Sequence, residues 1–125
     1  MSMPAIIGVV DHDAVDDDDN EVMKIYYNTV YHDGYEEKLG AVLKAKYTDY
    51  YDVLDLVSKS SNGYSSISKT GPVPMTRGSK RQHEEITKNP KSDFEEIVKK
   101  SSAGIGYLFD DNKWMIYNGK TFTTL

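Results

Sequence analysis

The sequence predicts an α+β domain in which an antiparallel sheet, built from an N-terminal and a C-terminal hairpin, carries two or three short helices on one face. Three observations predict it. Apolar and β-branched residues gather at positions 4–10 and 22–29, apolar side chains recur at helical spacing between Leu39 and Val57, and Ile105, Tyr107 and Phe109 alternate before a returning run at 114–117. Strands at both chain ends with helices between them belong to the class in which helices segregate to one side of an antiparallel sheet.

Taken in order, residues 4–10 and 22–29 read as an antiparallel pair joined by a long acidic loop over 11–21. A helix is expected after His32-Asp33-Gly34-Tyr35, where Asp33 caps the free amides and Glu36, three residues on, completes a capping box. Leu39, Val42, Leu43 and Tyr47 then share one face. Thr48 and Asp49 offer a fresh cap, and Tyr50, Val53, Leu54 and Val57 form a second stripe, so two short helices meet at a break near 47–49. From 58 to 91 the periodicity fades, and Asn62-Gly63, Thr70-Gly71-Pro72 and Asn89-Pro90 mark a basic, loop-rich segment with a short strand near 64–68. Ser92-Asp93-Phe94-Glu95 is a further capping box and opens a helix to about Ser101, with Lys99 and Lys100 at the negative end of its dipole. The closing strands turn at Asp110-Asp111-Asn112-Lys113 and again at Asn118-Gly119.

A chain of 125 residues supports one core, so a single domain over 1–125 is expected. With 38% hydrophobic residues and no apolar run near the roughly 20 residues a bilayer span requires, the composition excludes a helical membrane protein. The first residues lack the basic region of a secretory signal, and zero cysteines remove disulfides, thiolate zinc sites and cysteine nucleophiles, which fits a reducing cytosol. Ten tyrosines against three phenylalanines and one tryptophan lean towards a wet binding surface, but packing with the hydroxyl at the surface is the plainer reading. Charge is uneven. Residues 1–65 hold five lysines against 13 carboxylates and residues 66–125 hold ten basic against seven acidic side chains, which together give the formal −5. That balance argues against duplex nucleic acid as a partner.

Asp11, Asp13, Asp16, Asp17, Asp18, Asp19 and Glu21 place seven carboxylates within eleven residues. The spacing is wrong for an EF-hand, since the sixth and twelfth positions counted from Asp11 hold Asp16 and Val22 where glycine and glutamate are needed. An extended, mobile, solvated acidic loop is the plain reading; a partner-binding or nucleic-acid-mimicking patch centred on Asp16, Asp17, Asp18 and Asp19, or a cation site, are the functional ones. His12, His32 and His83 are scattered, no Gly-x-Ser-x-Gly elbow surrounds a serine, and neither a Walker A loop nor a dinucleotide fingerprint occurs. No metal and no cofactor is therefore expected. Lys69, Arg77, Lys80, Arg81, Lys88 and Lys91, with His83 among them, form the basic segment, either as an ordinary solvated loop or as a phosphate-binding one.

The run Tyr31-His32-Asp33-Gly34-Tyr35-Glu36-Glu37-Lys38-Leu39-Gly40-Ala41-Val42-Leu43, followed by Tyr47, resembles a family of small uncharacterised tailed-bacteriophage proteins. In that family a strand ends in His-Trp-Asp-Gly-Tyr-Pro-Glu, a glycine, a leucine and a His-Tyr pair follow through the next helix, and the second helix ends in a Gly-Asp-x-Ser-Ser-Leu run. Ser61-Asn62-Gly63-Tyr64-Ser65-Ser66-Ile67 stands in the place of the last element, and Tyr107-Leu108-Phe109 before Trp114 is similar to the closing strands. The chain departs where the tryptophan is His32, the proline is Glu36 and the basic or histidine position is Lys46. The plain reading of Asp33-Gly34-Tyr35 is a helix start, with Gly34 allowing a tight turn and Tyr35 packing back on the sheet.

The resemblance implies a protein made during infection that acts in the host cytoplasm. Three functions follow as expectations. The first is a non-enzymatic inhibitor that binds a host protein, one of host defence, through exposed tyrosines and the acidic loop. The second is a sponge for a signalling nucleotide, with Arg77, Lys80 or Arg81 on phosphate and Tyr31, Tyr35, His32 or Trp114 stacking on the base. The third is a small hydrolase built on His32, Asp33 and Glu37. Homo-oligomerisation through open sheet edges is left open by the sequence.

Overall fold

The six residues from Ala5 to Val10 are buried without interruption, the mark of a strand covered on both faces rather than one. They begin β1 (Ala5–Val15), the middle of a mixed sheet in the computed structural model, which describes residues 3–60, 62–76 and 83–125. After β1 come β2 (Glu21–Val30), a π-helical turn (Glu36–Gly40) leading into α1 (Ala41–Lys46), α2 (Tyr50–Lys59), β3 (Tyr64–Ser68) and β4 (Gly71–Pro74). The chain then continues through β5 (His83–Thr87), α3 (Pro90–Lys100), β6 (Ile105–Asp110), β7 (Lys113–Tyr117) and β8 (Phe122–Thr124). The strand order is β4-β3-β2-β1-β6-β7-β8, with β5 paired to β2 beside β3.

The α+β class holds, but the sheet is not purely antiparallel. β1 pairs antiparallel with β2 and parallel with β6, from Ala5↔Ile105 to Val9↔Phe109, and β2 meets β3 parallel at Val30↔Tyr64. A parallel pair needs a crossover connection, usually helical, and here α1 with α2 supplies one and α3 delivers the chain to β6. Local sequence signals register hairpins and are blind to partners a hundred positions apart.

The helices are also not confined to one face. Ala5, Ile7 and Val9 of β1 with Tyr107 and Phe109 of β6 pack against Leu39, Leu43, Val53 and Val57, whereas Ile6, Val10, Ile25 and Leu108 pack against Phe94 and Val98 of α3. Strand side chains alternate between faces, so a continuous apolar run demands cover on both. The α3 side is fitted closely. A Cβ on Gly8 would lie 2.7 Å from Phe94, and one on Gly106 would lie 2.7 Å from Phe94 and 2.6 Å from Val98, so the two glycines form the socket for the Phe94 ring.

The acidic loop is much shorter than the sequence suggests. β1 runs on to Val15 with an irregular register between Asp11 and Ala14, and only Asp16 to Asn20 form the turn. That register shift leaves His12 and Asp13 both exposed, and pairing resumes with buried Ala14 opposite Val22. The turn is ordered, not an extended mobile loop: Asp16 N–H donates to Asn20 O at 3.0 Å, and the Asp16 carboxylate accepts from the N–H groups of Asp18 and Asn20, each at 2.9 Å.

Two capping boxes are replaced by other devices. Asp33 makes no cap bond; it adopts φ 59, and the helical turn begins behind Tyr35. α3 starts at Pro90 behind Asn89, with proline preset for the first helical position, and Asp93 accepts a hydrogen bond from the Thr87 hydroxyl instead of serving a Ser92 box. Asp49 does cap α2, accepting from Tyr51 N–H at 3.1 Å. Within the expected loop-rich segment 58–91 the chain builds β3, β4 and β5, while Arg77, Lys80 and Arg81 lie outside the described residues.

Candidate binding face

At the edge beside β2, residues remote in sequence come together. The turn after β1 carries Asp16, Asp17 and Asp18 to the side of β5, where Glu84, Glu85 and Ile86 line the same concavity of ≈ 390 Å³. Lys24 is the one cation among the described residues of that lining, its Nζ 3.7 Å from Glu84. Five carboxylates thus surround a single ammonium, with Ile86, 53% exposed, as an apolar contact among them. Asp16 differs from its neighbours in role. The Asn20 backbone N–H that it accepts holds its carboxyl below the usual range, so it orders the turn while Asp17, Asp18 and Asp19 face solvent.

On the α3 side a groove follows β2. Tyr31 and His32 line one end, of ≈ 470 Å³, with Thr29, Met75, Ser101 and Ser102. Through Ile6, Thr29 and Ser101 it continues into a second hollow of ≈ 530 Å³, where Tyr27 and His83 bring their rings to 5.3 Å and Glu85, Asp93 and Glu96 face Lys100. Among the described residues this groove offers phosphate little. It abuts the C-terminal end of α3, whose free carbonyls carry partial negative charge, and its described lining holds more carboxylates than ammonium groups.

The other sequence candidates are dispersed. Asp33 faces solvent 3.9 Å from Lys38, Tyr35 ends the turn before the π helix, and Glu37 lines a separate hollow with Lys44 and Leu125, so His32, Asp33 and Glu37 do not converge on one cavity. Trp114 is 6% exposed, donates its indole N–H to Tyr47 O at 2.7 Å and packs edge-on to Phe109; it is a core residue and offers no face for a base. The tyrosines largely pack inward. Tyr64, Tyr107 and Tyr117 are almost wholly buried, Tyr51 alone among the ten is exposed, and the rest are half-buried. Among the described residues no group of three His, Asp or Glu side chains converges as metal ligands would.

No protein family, curated protein or solved structure matches this chain. The face is therefore read from its own chemistry. Sequence reasoning found the acidic half at 16–19 and missed the half on β5, because His-Glu-Glu-Ile-Thr is neither apolar nor flanked by turn signals on both sides. One signal was present: the β-branched pair Ile86-Thr87 closes the run.

Proposed function

We propose that this chain is a non-enzymatic phage accessory protein that binds and inhibits a host protein, a component of host defence, in the host cytoplasm, and that it docks through its acidic face. The supporting observation is the convergence of the turn at Asp16, Asp17 and Asp18 with Glu84, Glu85 and exposed Ile86. Carboxylates repel one another when no partner is present, so drawing them together from 66 to 69 positions apart in sequence costs stability that a basic partner returns on binding. A rim of charge around an apolar contact speeds and orients encounter with a complementary protein surface. The phage origin and the host target rest on the resemblance of the segment 31–43.

The test is capture from infected-cell lysate by the full chain and by a variant carrying D17N, D18N, E84Q and E85Q, with Asp16 kept because it orders the turn. The wild type should retain a host protein whose activity it suppresses, and the variant should lose it. Recovery of the same proteins by both baits, or of none by either, rules the acidic face out.

A further inference from the structure

Among the described residues the sheet has three outer strands, and they are unlike one another. β4 holds Pro72 and Pro74, which have no N–H to donate, and β8 is three residues long. β5 has five residues and no proline, is exposed from His83 to Ile86, and among the described residues pairs with β2 alone. An edge of this kind, with no proline and no second strand on it among the described residues, is a template for another strand.

Its side chains decide which strand. Glu84 and Ile86 stand on the face shared with Tyr26 and Lys24, whereas His83 and Glu85 stand on the face shared with Tyr27 and Ile25, so each side of the edge presents a carboxylate. A second copy of β5 would set its own glutamates against these, and like charges directly opposed across strands are destabilising. The acidic turn at Asp16, Asp17 and Asp18 deepens the same field. Self-pairing is opposed and a basic strand is favoured.

We infer that β5 accepts an extended, lysine- or arginine-bearing segment of the partner protein as an added strand. Its backbone pairs with the outer edge of β5, and its basic side chains lie over Glu84 on one face and Glu85 on the other. This rests on the protein-binding reading above and adds the manner of docking. Backbone pairing supplies affinity and the alternating carboxylates supply selectivity, the division of labour usual in strand addition.

The experiment uses the full chain and three synthetic peptides: one with lysines in adjacent pairs separated by single threonines, so that both faces of the strand carry lysine, one with glutamates in the same places, and the lysine peptide with its alternate amides N-methylated so that one edge cannot pair. The lysine peptide should bind and slow hydrogen exchange at the β5 amides, the glutamate peptide should not bind, and N-methylation should weaken binding by about tenfold or more. A Glu85→Lys variant should weaken the lysine peptide by a similar factor with an unchanged thermal midpoint, since Glu85 is exposed. Undiminished binding of the N-methylated peptide, slowed exchange elsewhere with β5 unaffected, or no binding of the lysine peptide overturns strand addition. Each of those outcomes leaves the partner-binding proposal to be decided by the lysate experiment alone.

Discussion

Gly34 shows what a single position contributes here. Its N–H donates to Met3 O at 2.9 Å and its carbonyl accepts from the buried Tyr107 hydroxyl at 2.7 Å, so it joins the start of β1 to β6. A Cβ at this position would lie 2.6 Å from Met3 O and 2.8 Å from the Ala5 Cβ, contacts that a rigid strand cannot relieve. The glycine of the Asp-Gly-Tyr run is thus needed for close approach, while the left-handed backbone falls on Asp33. Gly34→Ala should cost roughly 1–3 kcal/mol, read as a lower urea midpoint with an unchanged slope. A midpoint equal to wild type would mean that the segment relaxes more freely than its contacts indicate.

At the scale of elements, tyrosine hydroxyls act as ties between helix and sheet. Tyr64 on β3 donates to Leu56 O of α2 at 2.5 Å, and burial pushes its hydroxyl up to about 12. Tyr50 at the start of α2 is likewise raised to about 12, by burial first and then by the neighbouring Asp11 carboxylate. An acid whose pKa rises on folding stabilises the fold below its unfolded value, and that stability is lost as pH climbs towards the folded one. The window therefore opens near 10.0 and closes near 12. Alkaline titration should show part of the tyrosinate absorbance appearing together with loss of the far-ultraviolet helix signal. Complete ionisation near pH 10 with the helix signal intact would contradict these ties.

For the whole molecule, the distribution of charge limits the choice of ligand more than any one side chain does. The edge beside β5 and the described lining of the α3 groove are both acidic, and the formal net charge is −5. A panel of cyclic and linear nucleotides should therefore leave the melting temperature flat. A ligand present at 100 times its dissociation constant would stabilise the chain by about 2.7 kcal/mol, well within detection. A clear shift with one nucleotide would instead revive the sponge reading and direct attention to Arg77, Lys80 and Arg81.

Sequence alone determined what local chemistry controls. The stripes at Leu39–Leu43 and Val53–Val57, the Asp49 cap and the turn at Asp111 and Asn112, both with positive φ, were legible because each depends on neighbours a few residues away. Only the tertiary structure decided that β1 lies at the centre with β6 parallel beside it, that α3 covers the opposite face from α1 and α2, and that Trp114 belongs to the core. Those outcomes depend on burying both faces of one apolar strand, a requirement set by the whole sheet. The candidate face divides along the same line. Asp16, Asp17 and Asp18 are conspicuous in the sequence, but their meeting with Glu84, Glu85 and Ile86 exists only because β5 returns to pair with β2.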